Sequence, residues 1–188
     1  MNLPNKLTVF RVCTIPFFVF FMEFKGIVYG IFIAVFLFII ASITDALDGH
    51  IARKYNLVTN FGKFMDPLAD KLLVSAALIC LTGRIPEWIV VVIISRELII
   101  SGFRIIAADN GIVISASYWG KVKTVFQMIM IIWLILDLNS FVEKYIIDLP
   151  IYDIIGYILI WVSLVLTVVS MIDYFYKNKD GLKENNNK

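Results

Sequence analysis

Apolar residues gather into six stretches, roughly 7–22, 27–47, 70–83, 86–106, 121–138 and 151–175, and polar residues collect between them. The breaks at 23–26, 83–86 and 139–150 are short, whereas 48–69 is longer and rich in Asp and Gly. Runs such as 28–43 are continuously apolar and show no alternation with a period of two, which selects helices over a closed barrel. The third stretch is short for a membrane crossing unless its helix begins earlier, near Phe64. The pattern predicts six helices joined by short connections.

Composition then names the solvent. At 188 residues the chain is 60% hydrophobic and only 17% charged, against about 45–50% apolar and ~25% charged in soluble domains. A crossing takes ~20 residues, so six consume about 120 and leave no room for a separate soluble body. The expectation is an all-α integral membrane protein with one transmembrane domain over 1–176 and a polar, Asn-rich tail over 177–188. Cys13 and Cys80 both lie in apolar runs, which excludes a disulfide scaffold. Arg11 interrupts the first stretch and no small-x-small site follows it, so that stretch reads as a retained helix, with residues 1–6 along the interface. Of the 17 lysines and arginines, six crossings leave only Lys25, Arg84 and Lys144 on one side, with Arg96 in mid-span. The positive-inside rule therefore places both termini in the cytoplasm.

The chemistry concentrates in one segment. Asp45 and Asp48 stand three apart, and Asp66 and Asp70 four apart, spacings that put each pair on one helix face. Four carboxylates brought together repel, by about 4 kcal/mol for each pair 4 Å apart at an effective dielectric of ~20. Protonation or bound cations must relieve this, and an all-oxygen set favours Mg²⁺, Mn²⁺ or Ca²⁺. Gly49, Ala52 and Gly62 leave space for a base or a diphosphate near the backbone, and Arg53 offers a planar fork for phosphate. Simpler readings exist for parts of the set. Asp66 before Pro67 could cap a helix, and Asp48-Gly49 could end one. Neither accounts for all four acids together.

The pattern Asp-x-x-Asp-Gly-x-x-Ala-Arg, eight residues, Gly-x-x-x-Asp-x-x-x-Asp resembles the signature of the CDP-alcohol phosphotransferases without gap or substitution. It spans residues 45–70, and the six-helix pattern extends the likeness over nearly the whole chain. The resemblance implies an enzyme that cleaves a CDP-linked alcohol, passes its phosphoryl alcohol to an acceptor hydroxyl and releases CMP. It implies metal ligation by Asp45, Asp48, Asp66 and Asp70, with two ions, Mg²⁺ or Mn²⁺, and Asp70 as the base. Gly49, Ala52 and Gly62 would line the cytidine pocket, and Arg53 would hold the diphosphate. A homodimer in a bacterial cytoplasmic membrane, with its site at the cytoplasmic face, is typical of the family; no nucleic-acid partner is expected.

Residues 2–11, 95–104 and 120–128 are similar to family members that use CDP-diacylglycerol and sn-glycerol 3-phosphate. An anionic acceptor also suits the cations near the acidic edge. Thr8 and Arg11 share a helix face, and Arg104, Lys121 and Lys123 approach the same edge. Lys121 and Lys123 sit about 200° apart on a helix, so only one can face a given ligand. Lys123 is the choice, and Thr8, Arg11, Arg104 and Lys123 form the expected acceptor-phosphate set. Arg96 and Glu97 read equally as an internal ion pair or as substrate contacts. His50, the Gly26-x-x-x-Gly30 pair and the aromatics Trp88, Tyr145 and Tyr174 read as structural. Other acceptors within the family, those of cardiolipin or phosphatidylinositol phosphate synthesis, stay open. So, more remotely, does a cation transporter, which would carry ionisable groups through the full membrane depth.

Overall fold

A computed structural model describes residues 3–24, 26–27, 29–54, 60–109, 117–136 and 150–178. Within its helices, the side chains of 3–5, 45–54, 60–64, 66–67, 106, 108–109 and 150 lie outside the description. Six helices occupy these residues, and no strand occurs among them: α1 Leu3–Glu23, α2 Gly30–Lys54, α3 Asn60–Cys80, α4 Glu87–Asp109, α5 Tyr118–Leu136 and α6 Pro150–Asn178.

Several boundaries differ from the hydropathy pattern, for local reasons. Residues 3–6, expected along the interface, form the first turn of α1. Helix α2 continues through Asp48-Gly49 to Lys54, and α3 starts at Asn60, earlier even than Phe64. The long polar stretch is therefore mostly helix, because polarity alone does not oppose helix formation. Helix α5 begins at Tyr118, where Ser117 acts as N-cap: its Oγ accepts the Gly120 N–H at 3.1 Å. Lys177 and Asn178, assigned to the tail by composition, complete α6.

The chain forms two compact units, one from residues 1–85 and 134–137, the other from residues 86–133 and 138–188. In the first, α1 packs on α2 and α3, and α2 touches α3. Helix α2 runs antiparallel to α1. Its first residue, Gly30, abuts the end of α1, where an added methyl would come 3.2 Å from the Phe21 carbonyl. Further along, the rings of Phe18 and Phe38 meet at 5.9 Å. Gly30 thus performs the close packing suggested by its spacing, whereas Gly26 lies in the connection against Phe24. Pro16 sits inside α1, where the Thr14 hydroxyl donates to the Phe10 carbonyl at 2.8 Å.

In the second unit α4 packs on α6. Trp88 meets Trp161 at 6.2 Å, and Phe103 meets Tyr174 at 6.4 Å, which makes the two helices parallel. Helix α5 runs against α6: Trp133 stacks on Tyr152 with centroids 4.6 Å apart, and each side chain donates to the other's carbonyl.

The outer face of α6 is apolar, and polar side chains lie within. Ile151, Ile154, Ile158, Trp161, Val165 and Ile172 point outward from α6, while Ser163, Thr167 and Ser170 are buried. Such apolar exteriors suit lipid as solvent. Helices α5 and α6 are each long and apolar enough to cross a membrane.

Candidate active site

The two aspartate pairs sit inside helices, at neither a start nor a stop. Asp66 lies well within α3, so it caps nothing, and Asp48-Gly49 lies within α2, so it ends nothing. The partial structural readings of both pairs fall away.

Register then aligns the four positions with the buried stripes of their own helices. The buried stripe of α2 includes Phe38 and Ala41, and that of α3 includes Leu73 and Ala77. Asp45 follows Phe38 by one heptad and Asp48 follows Ala41. Asp66 precedes Leu73 by the same interval and Asp70 precedes Ala77. A heptad is about two helical turns, so all four backbone positions continue the inner stripes of their helices.

The same reasoning sets the level of α1. One heptad from the Phe18–Phe38 contact leads to Arg11 on α1 and to Asp45 on α2. Arg11 thus stands at the depth of the Asp45 backbone. It is fully buried at 0% exposure, and Thr8, one turn before it, is buried as well. A guanidinium can persist in such a place only among anions or hydrogen-bond acceptors.

Of the four acids, Asp70 has its side chain described. It is half-buried, and Lys71 Nζ lies 2.8 Å from its Oδ2. That contact was invisible in the sequence, because neighbouring helical residues ordinarily point apart. The side chains of Asp45, Asp48, Asp66, Gly49, Ala52, Arg53 and Gly62 lie outside the described residues. Among those that are described, no three His, Cys, Asp or Glu side chains gather closely enough to hold a metal.

Thr8 and Arg11 belong to the first unit, Arg104 and Lys123 to the second. Arg104 is exposed and lies 6.0 Å from the centre of the Tyr174 ring. Lys121 and Lys123 are both helical and do diverge, Lys121 exposed and Lys123 fully buried. Lys123 Nζ pairs with Glu97, whose Oε1 also accepts from Arg96 Nη1 at 3.2 Å. Arg96 and Glu97 therefore form an ion pair, joined by a third member from α5. Gln127, one turn beyond Lys123 on the same face, is buried too. Its spacing was readable once α5 was known to be helical from Tyr118.

Comparison with known proteins shows the family. Residues 1–169 match the CDP-alcohol phosphatidyltransferase family, and the chain belongs to that family. Among its relatives, a protein of Bacillus subtilis is 44% identical over 98% of this chain and 99% of its own length. One of Haemophilus influenzae is 40% identical over 98% and 97%, and one of Escherichia coli K12 is 38% identical over 92% of each. All three are named CDP-diacylglycerol–glycerol-3-phosphate 3-phosphatidyltransferase.

Proposed function

We propose that this chain transfers the phosphatidyl group of CDP-diacylglycerol to sn-glycerol 3-phosphate, giving phosphatidylglycerol phosphate and CMP. The observation that carries the reading is the full-length likeness to relatives named for that reaction. The alignment of both aspartate pairs with the buried stripes of α2 and α3 supports it.

In this reading Asp45, Asp48, Asp66 and Asp70 hold divalent cations, Mg²⁺ or Mn²⁺, two in number. An all-carboxylate donor set fits a hard ion and fits no soft one. Bound there, such ions supply positive charge to the diphosphate and to the departing CMP. Gly49, Ala52 and Gly62 present backbone without bulk to the cytidine, and Arg53 offers paired donors to the diphosphate. Asp70 takes the proton of the acceptor's primary hydroxyl, and Lys71 restrains that carboxylate through Oδ2. The acceptor oxygen then bonds to the phosphorus on the diacylglycerol side as the bond to the CMP oxygen breaks. Thr8, Arg11, Arg104 and Lys123 are the proposed donors to the acceptor phosphate. All six helices cross the bilayer, both termini face the cytoplasm, and the protein acts as a homodimer beneath the cytoplasmic headgroups.

The test is the purified protein in liposomes with CDP-diacylglycerol, Mg²⁺ or Mn²⁺ and a panel of acceptors. CMP release with glycerol 3-phosphate, and phosphatidylglycerol phosphate as the lipid product, are expected. Turnover with phosphatidylglycerol or inositol phosphate and none with glycerol 3-phosphate would overturn the acceptor. Metal-dependent ion flux without CMP would overturn the enzyme reading.

A further inference from the structure

A polar cluster is buried in the apolar second unit. Glu97 Oε1 takes both the Arg96 guanidinium, at 3.2 Å, and the Lys123 ammonium arriving from α5. Lys123 is wholly buried, and Arg96 and Glu97 are each 7% exposed. Charges so placed are expensive unless partnered. A simple clamp between two helices needs one cation and one anion, yet here two cations share a carboxylate. Two further donors, Arg96 Nε and Gln127 Nε2, are buried with no acceptor among the described residues. Arg96 also reaches the first turn of α5, its Nη2 3.6 Å from where a methyl on Gly120 would stand. The cluster is rich in donors, and Glu97 stands at its centre.

We propose that Glu97 is a positioning residue for acceptor recognition: it fixes the Lys123 ammonium, with Arg96 beside it, for a phosphate monoester. This rests on the assignment of Lys123 to the acceptor phosphate. The reason is physical. A lysine in an apolar site sheds its proton unless an anion adjoins it, and its four-carbon stem leaves the ammonium otherwise loosely placed. Glu97 answers both needs, while Arg96 on the same oxygen restrains the carboxylate in turn. An ammonium carries three donors, so it can serve a carboxylate and a phosphate together.

The experiment uses the full chain in liposomes, following CMP release at saturating CDP-diacylglycerol while glycerol 3-phosphate is varied. Glu97→Gln raises the acceptor KM by about tenfold, with kcat changed by less than about threefold, as loss of a charge-assisted contact in binding requires. Lys123→Met does the same, and the double variant is no worse than the poorer single one. Unchanged KM in Lys123→Met overturns the underlying assignment of Lys123. Raised KM in Lys123→Met with unchanged KM in Glu97→Gln overturns the role of Glu97 alone. Should Glu97→Gln fail to fold, the exchange variant Glu97→Lys with Lys123→Glu decides. It restores an ion pair between α4 and α5 but moves the ammonium to the wrong helix, so KM stays raised. Recovery of the original KM in that variant would show the pair to be structural only and overturn the proposal.

Discussion

Arg11 is the largest fully buried side chain among the described residues, and it stands at the depth of the Asp45 backbone. In the proposed site its positive charge would offset part of the carboxylate repulsion and leave less for bound cations to neutralise. Arg11→Met keeps the length and removes the charge. The acceptor KM should rise by about tenfold or more, the scale of one lost charge-assisted contact. The Mg²⁺ concentration for half-maximal rate should not rise, because the acids become more negative in their surroundings. A metal titration at fixed acceptor separates the two effects, and weakened Mg²⁺ binding would contradict this placement of Arg11. Asp70→Asn should reduce CMP release by at least about a hundredfold, as expected on losing a general base, while circular dichroism and size-exclusion elution stay as in the parent. Near-normal turnover would remove Asp70 from the role of base.

At the scale of elements, helix continuity governs the site. Both aspartate pairs lie on helix because α2 extends to Lys54 and α3 begins at Asn60, in a stretch whose polarity suggested a loop. The contact between Phe18 and Phe38, both fully buried, holds α1 and α2 in the register that brings Arg11 to Asp45. Phe38→Ala should lower stability in detergent by about 3 kcal/mol, within the range for a large buried ring. A lower thermal midpoint with reduced CMP release measures it; an unchanged midpoint would deny this contact its role in the register. Start signals act on a smaller scale. Ser117→Ala should cost α5 about 1 kcal/mol through loss of the cap, and Ser117→Gly only a few tenths. The fall of each variant's thermal midpoint below the parent's measures it.

At the scale of the whole molecule, lipid on the outside and charge on the inside make topology and chemistry one problem. With Cys13 and Cys80 replaced, a single cysteine at Asn2 or Lys188 should react with an impermeant maleimide only in inverted vesicles. Labelling of either in right-side-out cells would reverse the topology. The hydropathy pattern was enough to predict six helices, a membrane setting and the spacing of four acids, because these depend on local periodicity and on the cost of polar groups in lipid. The family signature in residues 45–70 was equally legible, since it depends on residue type and interval alone. Partners were not: Lys123 could be chosen over Lys121 because it lies nearer the apolar run, but not joined to Glu97, 26 residues away. Nor could Arg11 be set level with Asp45, because depth along one helix relative to another comes from which rings and small residues meet, here Phe18 with Phe38 and Gly30 with Phe21. Side-chain intervals within a helix follow from backbone geometry, whereas alignment between helices is decided by packing, and only the folded chain contains it.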